Sequence, residues 1–100
     1  MPLNALFVLT SCDRLGPEGG PTGFYWEELA VPYRILREAG IDIDLASISG
    51  GAPPADPASD PGEGARPEAV QRFMDDAAAM AALRETRPVG DLDGAAYDLV

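Results

Sequence analysis

Few residues of this chain could do chemistry, because the sequence contains neither histidine nor lysine. An imidazole base, a Schiff base and any histidine-containing metal site are therefore excluded from its 100 residues. Carboxylates, hydroxyls, arginines and a single thiol, that of Cys12, remain. Glu28 is the strongest candidate among them, because it lies in the segment 22–29, TGFYWEEL, where a glycine-rich loop runs into a predicted helix.

We expect the Glu28 carboxyl to be partly buried above a sheet edge, since its neighbours Trp26 and Leu29 should turn inward. Partial burial would favour the protonated form, which could give a proton to a thiolate or relay one. The alternative is that Glu27 and Glu28 only complement the positive end of the helix dipole. Spacing alone favours that alternative.

The other nucleophile and ligand candidates are weaker. No histidine, lysine or helix start adjoins Cys12, and Asp13 would disfavour its thiolate, so we expect a small, partly buried thiol. The serines have no base within the chain. Asp42 and Asp44 share one face of a predicted strand, but solvation or pairing with arginine is expected there, and no metal site is predicted.

The charge of the chain limits its partners. Seventeen acidic residues against seven basic ones give a net charge of −10, which argues against nucleic acid and against an anionic membrane. Residues 47–51, SISGG, resemble a weak phosphate loop, but neither GxGxxG nor GxxxxGK[ST] is present. We therefore expect no nucleotide and no other cofactor.

Strand and helix patterns alternate in the first half of the chain. Residues 5–9 are continuously apolar, which predicts a buried parallel strand, and a breaker-rich loop follows over 10–22. A helix is predicted over 24–39, with an interruption at Pro32 and a stop at Gly40. Residues 41–47 alternate as a second strand, so a right-handed parallel β-α-β crossover is expected. The predicted inward stripe of the helix is Trp26, Leu29, Tyr33 and Leu36.

The second half is less regular. Residues 49–66 carry many prolines and glycines and predict an excursion with a short turn near 56–59. One helix is then predicted from Pro67 to residues 84–87, with Val70, Phe73, Ala77 and Met80 inward. A third strand should begin at Tyr97. Because that strand has no room to finish, residues 1–100 are predicted to be the N-terminal half of a single domain.

Four segments together resemble the N-terminal half of the DJ-1/PfpI superfamily, particularly its Hsp31-like branch. They are residues 7–11, 22–33 (TGFYWEELAVPY), 38–40 and 43–47, and the likeness continues through 50–51, 54, 56–57, 59 and 97–98. The resemblance implies the class I glutamine amidotransferase-like fold, a flavodoxin-like α/β three-layer sandwich with a parallel sheet, present here as its N-terminal half.

The same resemblance implies a site. Glu28 would hydrogen-bond a cysteine on a strand-to-helix elbow, which would lie beyond Val100 in a missing C-terminal half, as part of the same or of a separate chain. Cys12 does not match that cysteine. Gly23 and Tyr25 are expected to bind substrate. One departure is Val31, where many relatives place histidine.

The activity implied is that of a cofactor-independent glyoxalase, which converts methylglyoxal to lactate and acts through the thiolate and Glu28. A holdase chaperone, a protein deglycase and an inactive partner chain of a split fold stay open as alternatives. A homodimer in the cytoplasm is expected. The chain alone should be inactive.

Overall fold

The computed structural model describes residues 3–16 and 19–100. The predicted loop over 10–22 therefore includes two positions, 17 and 18, that lie outside the described residues. The elements are, in order, β1 (Asn4–Leu9), α1 (Trp26–Glu38), β2 (Asp42–Ser47), α2 (Glu68–Asp75), α3 (Ala77–Arg84) and β3 (Arg87–Pro88). Short 3₁₀ turns occupy Pro57–Ser59, Val89–Asp91 and Gly94–Ala96. No helix in the described ranges is long and apolar enough to span a bilayer.

The sheet is parallel, with strand order β1-β2-β3, and β1 and β2 pair along their full lengths. Both strands agree with the sequence prediction, whereas the two-residue β3 was not predicted. Leu99 pairs with Ala5 on the other edge of β1, in a parallel bridge, and its carbonyl accepts the amide of Leu6 at 2.8 Å. The fold class is thus confirmed as α/β with a parallel sheet flanked by helices.

Helix α1 follows its predicted stripe. Trp26 and Leu29 are buried, and Gly40, at φ 83°, ends the helix in the left-handed region. The amide of Ile41 donates to the Leu36 carbonyl at 3.0 Å, as in a Schellman motif. No restart occurs at Pro32, because this proline removes only one donor and the helix packs on the core on both sides of it, through the buried Leu29 and the partly buried Tyr33.

The single helix predicted after Pro67 is two helices. Asp76 has an extended backbone, at φ −85° and ψ 105°, and separates α2 from α3. Its carboxylate accepts the amides of Ala78 and Ala79 at 3.0 and 3.1 Å, so it caps α3. The break turns Ala79 and Leu83 toward the core and leaves Ala77 exposed, contrary to prediction.

The core lies between the three helices and one face of the sheet. Its members are Phe24, Trp26, Leu29, Ala30, Leu45, Val70, Phe73, Ala79 and Leu83. Aromatic rings meet edge to face within it, with centroid distances of 4.9 Å for Phe24–Trp26 and 4.8 Å for Tyr33–Phe73. On the opposite face of the sheet, the Tyr97 hydroxyl donates a hydrogen bond to Asp44. Val8, on the same face, is nevertheless 41% exposed. The described residues therefore cover one sheet face well and the other only in part.

Candidate functional site

A cleft of about 330 Å³ opens at the carboxyl end of β1. Parallel α/β sheets place ligands at this edge, so the position is the expected one for a site. The cleft contains all three residues predicted from the sequence, Gly23, Tyr25 and Glu28. Its other lining residues are Val8, Leu9, Thr10, Phe24 and Leu29.

Glu28 lies in the first turn of α1, which begins at Trp26 directly after Tyr25. Its side chain is exposed, so the expected partial burial is not produced by residues 3–16 and 19–100. Among these described residues, the cleft around the carboxylate is lined by β1, the loop that joins it to α1, and α1. Glu27 is also exposed in the first turn. Both carboxylates interact favourably there with the positive end of the helix dipole.

Gly23 is held against the backbone of the excursion. A Cβ built on Gly23 would lie 2.1 Å from the carbonyl oxygen of Pro54 and 2.8 Å from the carbonyl carbon of Ala55. Both obstacles are main chain, so no side chain can be accommodated without moving one of the two segments. Gly23 lines the cleft and also allows this close approach.

Tyr25 forms the outer lip of the cleft. It is 44% exposed, and its extended backbone, at φ −92° and ψ 128°, precedes α1 without a capping hydrogen bond from its side chain. A ring that is half in solvent and half over the cleft is available to a small ligand. Its predicted place at the site is therefore compatible with substrate contact, which stays a prediction.

Cys12 is exposed, and the expectation of a partly buried thiol is wrong. Its thiol donates to the carbonyl of Arg14 at 3.1 Å, within the loop that follows β1. Loop backbone runs over the surface and offers no apolar cover to this side chain. Cys12 is not among the residues that line the Glu28 cleft.

Asp42 and Asp44 are both engaged with side chains of this chain. Asp42 pairs with Arg37 at 3.2 Å, which is one of the two outcomes expected from the sequence. Asp44 accepts the hydroxyl of Tyr97 at 2.7 Å, and this hydrogen bond raises the pKa of Tyr97. Within residues 3–16 and 19–100, no group of three or more potential ligand side chains is close enough to hold a metal ion.

The SISGG segment uses its amides internally. The amide of Ser49 donates to the Ser11 hydroxyl at 2.9 Å, and that of Gly51 donates to the Thr86 carbonyl at 2.9 Å. Ser47 is buried with its hydroxyl 2.7 Å from that of Thr86. These donors are directed into the protein, which weakens the interpretation as a phosphate loop.

A second cleft, of about 210 Å³, lies between α1 and α2 and was not predicted. Arg34 contacts Glu38 at 3.1 Å and Glu68 at 3.5 Å, and Arg72 contacts the same two carboxylates at 3.9 and 3.7 Å. These exposed charges neutralise one another and link the two helices. The cleft lies away from the strand ends and brings together no reactive set.

Comparisons with known proteins agree with this architecture. No protein-family model matches the chain, and no curated protein matches it either. Rapid Encystment Protein 24 kDa of Francisella tularensis is 31% identical and has a TM-score of 0.85, over 99% of this chain and 43% of its own. Glyoxalase III from Candida albicans is 27% identical with a TM-score of 0.76, over 96% of this chain and 41% of its own.

A third solved protein is 34% identical, with a TM-score of 0.67 over 89% of this chain and 36% of its own. The fold and the cleft at its strand ends therefore define an α/β protein similar to about two fifths of these larger chains. The resemblance to the DJ-1/PfpI superfamily that the sequence predicted is confirmed by these structural neighbours, which include glyoxalase III.

Proposed function

We propose that residues 1–100 are the N-terminal half of a single DJ-1/PfpI domain, and that the complete protein is a glyoxalase III-like enzyme. Its reaction converts methylglyoxal and water to lactate without a cofactor. The observation that carries the proposal is the place of Glu28, in an open cleft at the carboxyl end of β1 with Gly23 and Tyr25. The 27% identity to glyoxalase III supports the choice of reaction.

The chemistry needs one thiol and one carboxyl group. The thiol of the other half adds through its sulfur to the aldehyde carbon, so that a C–S bond forms, the C=O π bond opens and the thiol proton ends on the aldehyde oxygen. Glu28 then removes the proton on that carbon and returns it to the neighbouring carbonyl carbon, through an enediolate-like intermediate, while the hydroxyl proton passes to the ketone oxygen. The resulting thioester is cleaved by water, which releases lactate and regenerates the thiol. No oxidant or reductant is consumed.

The open cleft supports the need for another segment. Glu28 is exposed, and Cys12, which is the chain's only thiol, lies outside the cleft. A segment packed over the strand ends would bring a thiol to Glu28 and exclude water from the reaction. The volume of about 330 Å³ is ample for a three-carbon substrate.

The missing C-terminal half is proposed to be a later part of the same polypeptide or a separate chain. We also propose, from the resemblance, that the complete protein is a homodimer and acts in the cytoplasm, where a reducing environment keeps a catalytic thiol free. Intact-mass measurement of the natural protein tests whether the C-terminal half is part of the same polypeptide. Sedimentation of the same material tests whether the complete protein is a homodimer.

A holdase chaperone is the second candidate, favoured by exposed apolar side chains. Val31 and Ile35 are 39% and 59% exposed and lie one turn apart on α1. The aromatic residues Trp26 and Phe73 belong to the core and cannot serve this role. Suppression of client aggregation that is lost in Val31→Ser with Ile35→Ser, while lactate formation is intact, would favour this candidate.

The decisive experiment compares two neighbouring carboxylates in the complete protein. Glu28→Gln removes the proposed relay, and we expect the rate of lactate formation to fall about 100-fold or more, the usual contribution of a general acid–base group. Glu27→Gln is the matched control, because it removes a first-turn charge from outside the cleft. Equal activities of the two variants would refute the relay and leave only the helix-dipole explanation.

A further inference from the structure

The loop that leads into α1 is paired with the excursion as a short parallel ladder. Phe24 forms a parallel bridge with Ala55. The Phe24 amide donates to the Pro54 carbonyl at 2.9 Å, and the Asp56 amide donates to the Phe24 carbonyl at 2.9 Å. Because Phe24 is buried, this pairing is shielded from water and its donors have no solvent alternative.

A side-chain hydrogen bond closes one end of this ladder. The Thr22 hydroxyl donates to Oδ2 of Asp56 at 3.1 Å in a partly buried position. The other carboxylate oxygen of Asp56 accepts the amide of Ala58 at 2.9 Å, and its carbonyl accepts the Ser59 hydroxyl at 2.6 Å. The hydrogen bonds to Ala58 and Ser59 therefore hold Asp56 in one orientation. Asp56 can then hold the Thr22 hydroxyl in place.

Thr22 is also held from the opposite side. Its amide donates to the Asp13 carbonyl at 2.9 Å, in the loop that leaves β1. Thr22 thus connects three segments: the loop after β1, the excursion at Asp56, and the entry to α1. The loop after β1 and the entry to α1 both contribute residues to the Glu28 cleft, and the excursion pairs with that entry at Phe24.

The start of α1 depends on this connection. Tyr25, the residue before the helix, makes no capping hydrogen bond with its side chain. A helix without such a cap takes its starting point from the segment before it and from its packing. Phe24 supplies both, since its backbone is in the ladder and its ring packs on Trp26 at a centroid distance of 4.9 Å.

We infer that Thr22 and Asp56 are positioning residues for Glu28, and that their hydrogen bond sets where the carboxylate lies in the cleft. The inference rests on the proposed function. Neither residue touches the reacting atoms, because Glu28 alone of the three lines the cleft. A catalytic carboxylate displaced by about 1 Å loses on the order of 100-fold in rate, so a loosened ladder should lower kcat substantially.

The test measures kcat and KM for methylglyoxal in the complete protein. Thr22→Val removes the donor at nearly constant volume, and we expect kcat to fall about 10-fold or more with KM within about twofold. Thr22→Ser restores the hydroxyl and should restore kcat. Asp56→Asn should also keep most of the wild-type kcat. The side-chain NH2 of the new asparagine can donate to the Thr22 hydroxyl, while its side-chain oxygen accepts the Ala58 amide. If Thr22→Val does not fold, Thr22→Ala replaces it.

Arg66→Gln is the matched control for a general effect of loosening the excursion. Arg66 contacts Asp60 at 2.8 Å in the same excursion but makes no contact with the ladder. Its loss should leave kcat within about twofold of wild type, because the Phe24 and Asp56 amides stay paired. Hydrogen exchange at those two amides provides a readout besides activity, and we expect it to quicken in Thr22→Val only.

Two failures can be told apart. If Glu28→Gln is inactive but Thr22→Val keeps kcat within about twofold of wild type, the positioning inference is overturned and the proposed function stands. If Glu28→Gln is fully active, the proton relay is wrong and the inference falls with it. A loss of kcat in Arg66→Gln equal to that in Thr22→Val would also overturn the specific role of Thr22 and Asp56.

Discussion

Gly23→Ala tests the close approach of the two main chains beneath the cleft. The added methyl would lie 2.1 Å from the Pro54 carbonyl oxygen, and neither this oxygen nor the nearby Ala55 carbonyl carbon can rotate away as a side chain would. Separating the segments by the required distance breaks the ladder hydrogen bonds on both sides of Phe24 and loosens the Thr22–Asp56 contact.

Three hydrogen bonds at about 1 kcal/mol each set the expected loss of folding free energy at about 2–3 kcal/mol, since some of them can re-form with water. In the proposed complete domain, which is about twice as long as this chain, the loss corresponds to a fall in Tm of roughly 4–12 °C. Trp26 reports the change directly, because it is the only tryptophan of residues 1–100 and packs on Phe24. Urea titration followed by its fluorescence gives the free energy.

Gly20→Ala is the control in the same loop. A Cβ at Gly20 meets nothing within 4 Å, and its backbone does not require glycine. We expect stability within about 0.5 kcal/mol of wild type for this variant. The reasoning is refuted if Gly23→Ala is as stable as Gly20→Ala, because the contact geometry would then be wrong.

Two further predictions concern polar contacts away from the cleft. Thr86→Val should destabilise the fold by about 1–3 kcal/mol, because it leaves the buried Ser47 hydroxyl without its partner and removes one of the two hydrogen bonds that the Gly51 carbonyl accepts from residue 86; chemical denaturation measures this, and an unchanged midpoint would contradict it. The hydrogen bond from Arg66 lowers the pKa of Asp60 in the folded protein. The pair therefore stabilises the protein at pH values above ~3.9, the usual pKa of aspartate. This stabilisation is lost as the pH falls through the lower pKa of the folded state. The stability difference between wild type and Asp60→Asn should therefore shrink below about pH 4, and a difference constant from pH 7 to pH 2 would refute the assignment.

Local patterns predicted the elements whose signal repeats along the sequence. Both long strands and α1 were found from apolar runs, alternation and the helical stripe, and Gly40 was read correctly as the end of the helix. The break at Asp76 was missed because the alanine-rich run on its C-terminal side continues a helical pattern. The capping preference of aspartate was the signal that could have revealed it.

The site was predictable only in part, for a different reason. Its glutamate, glycine and tyrosine lie in one contiguous segment, so a motif was enough to bring them together. The contact between Thr22 and Asp56 joins residues 34 positions apart, and no local pattern encodes it. The exposure of Glu28 depends on which other segments cover the strand ends, which is a property of the assembled domain and not of its own motif.

The pairing of Leu99 with β1 has a consequence for biosynthesis. The Leu6 amide bonds to the Leu99 carbonyl, so the first strand acquires its second neighbour only after 93 further residues have been added, by the difference of the two numbers. At about 5–20 residues per second, the ribosome needs roughly 5–20 s to add them. During this interval one edge of β1 is open to other nascent strands, and a chaperone that shields extended apolar segments would raise the yield of folded protein.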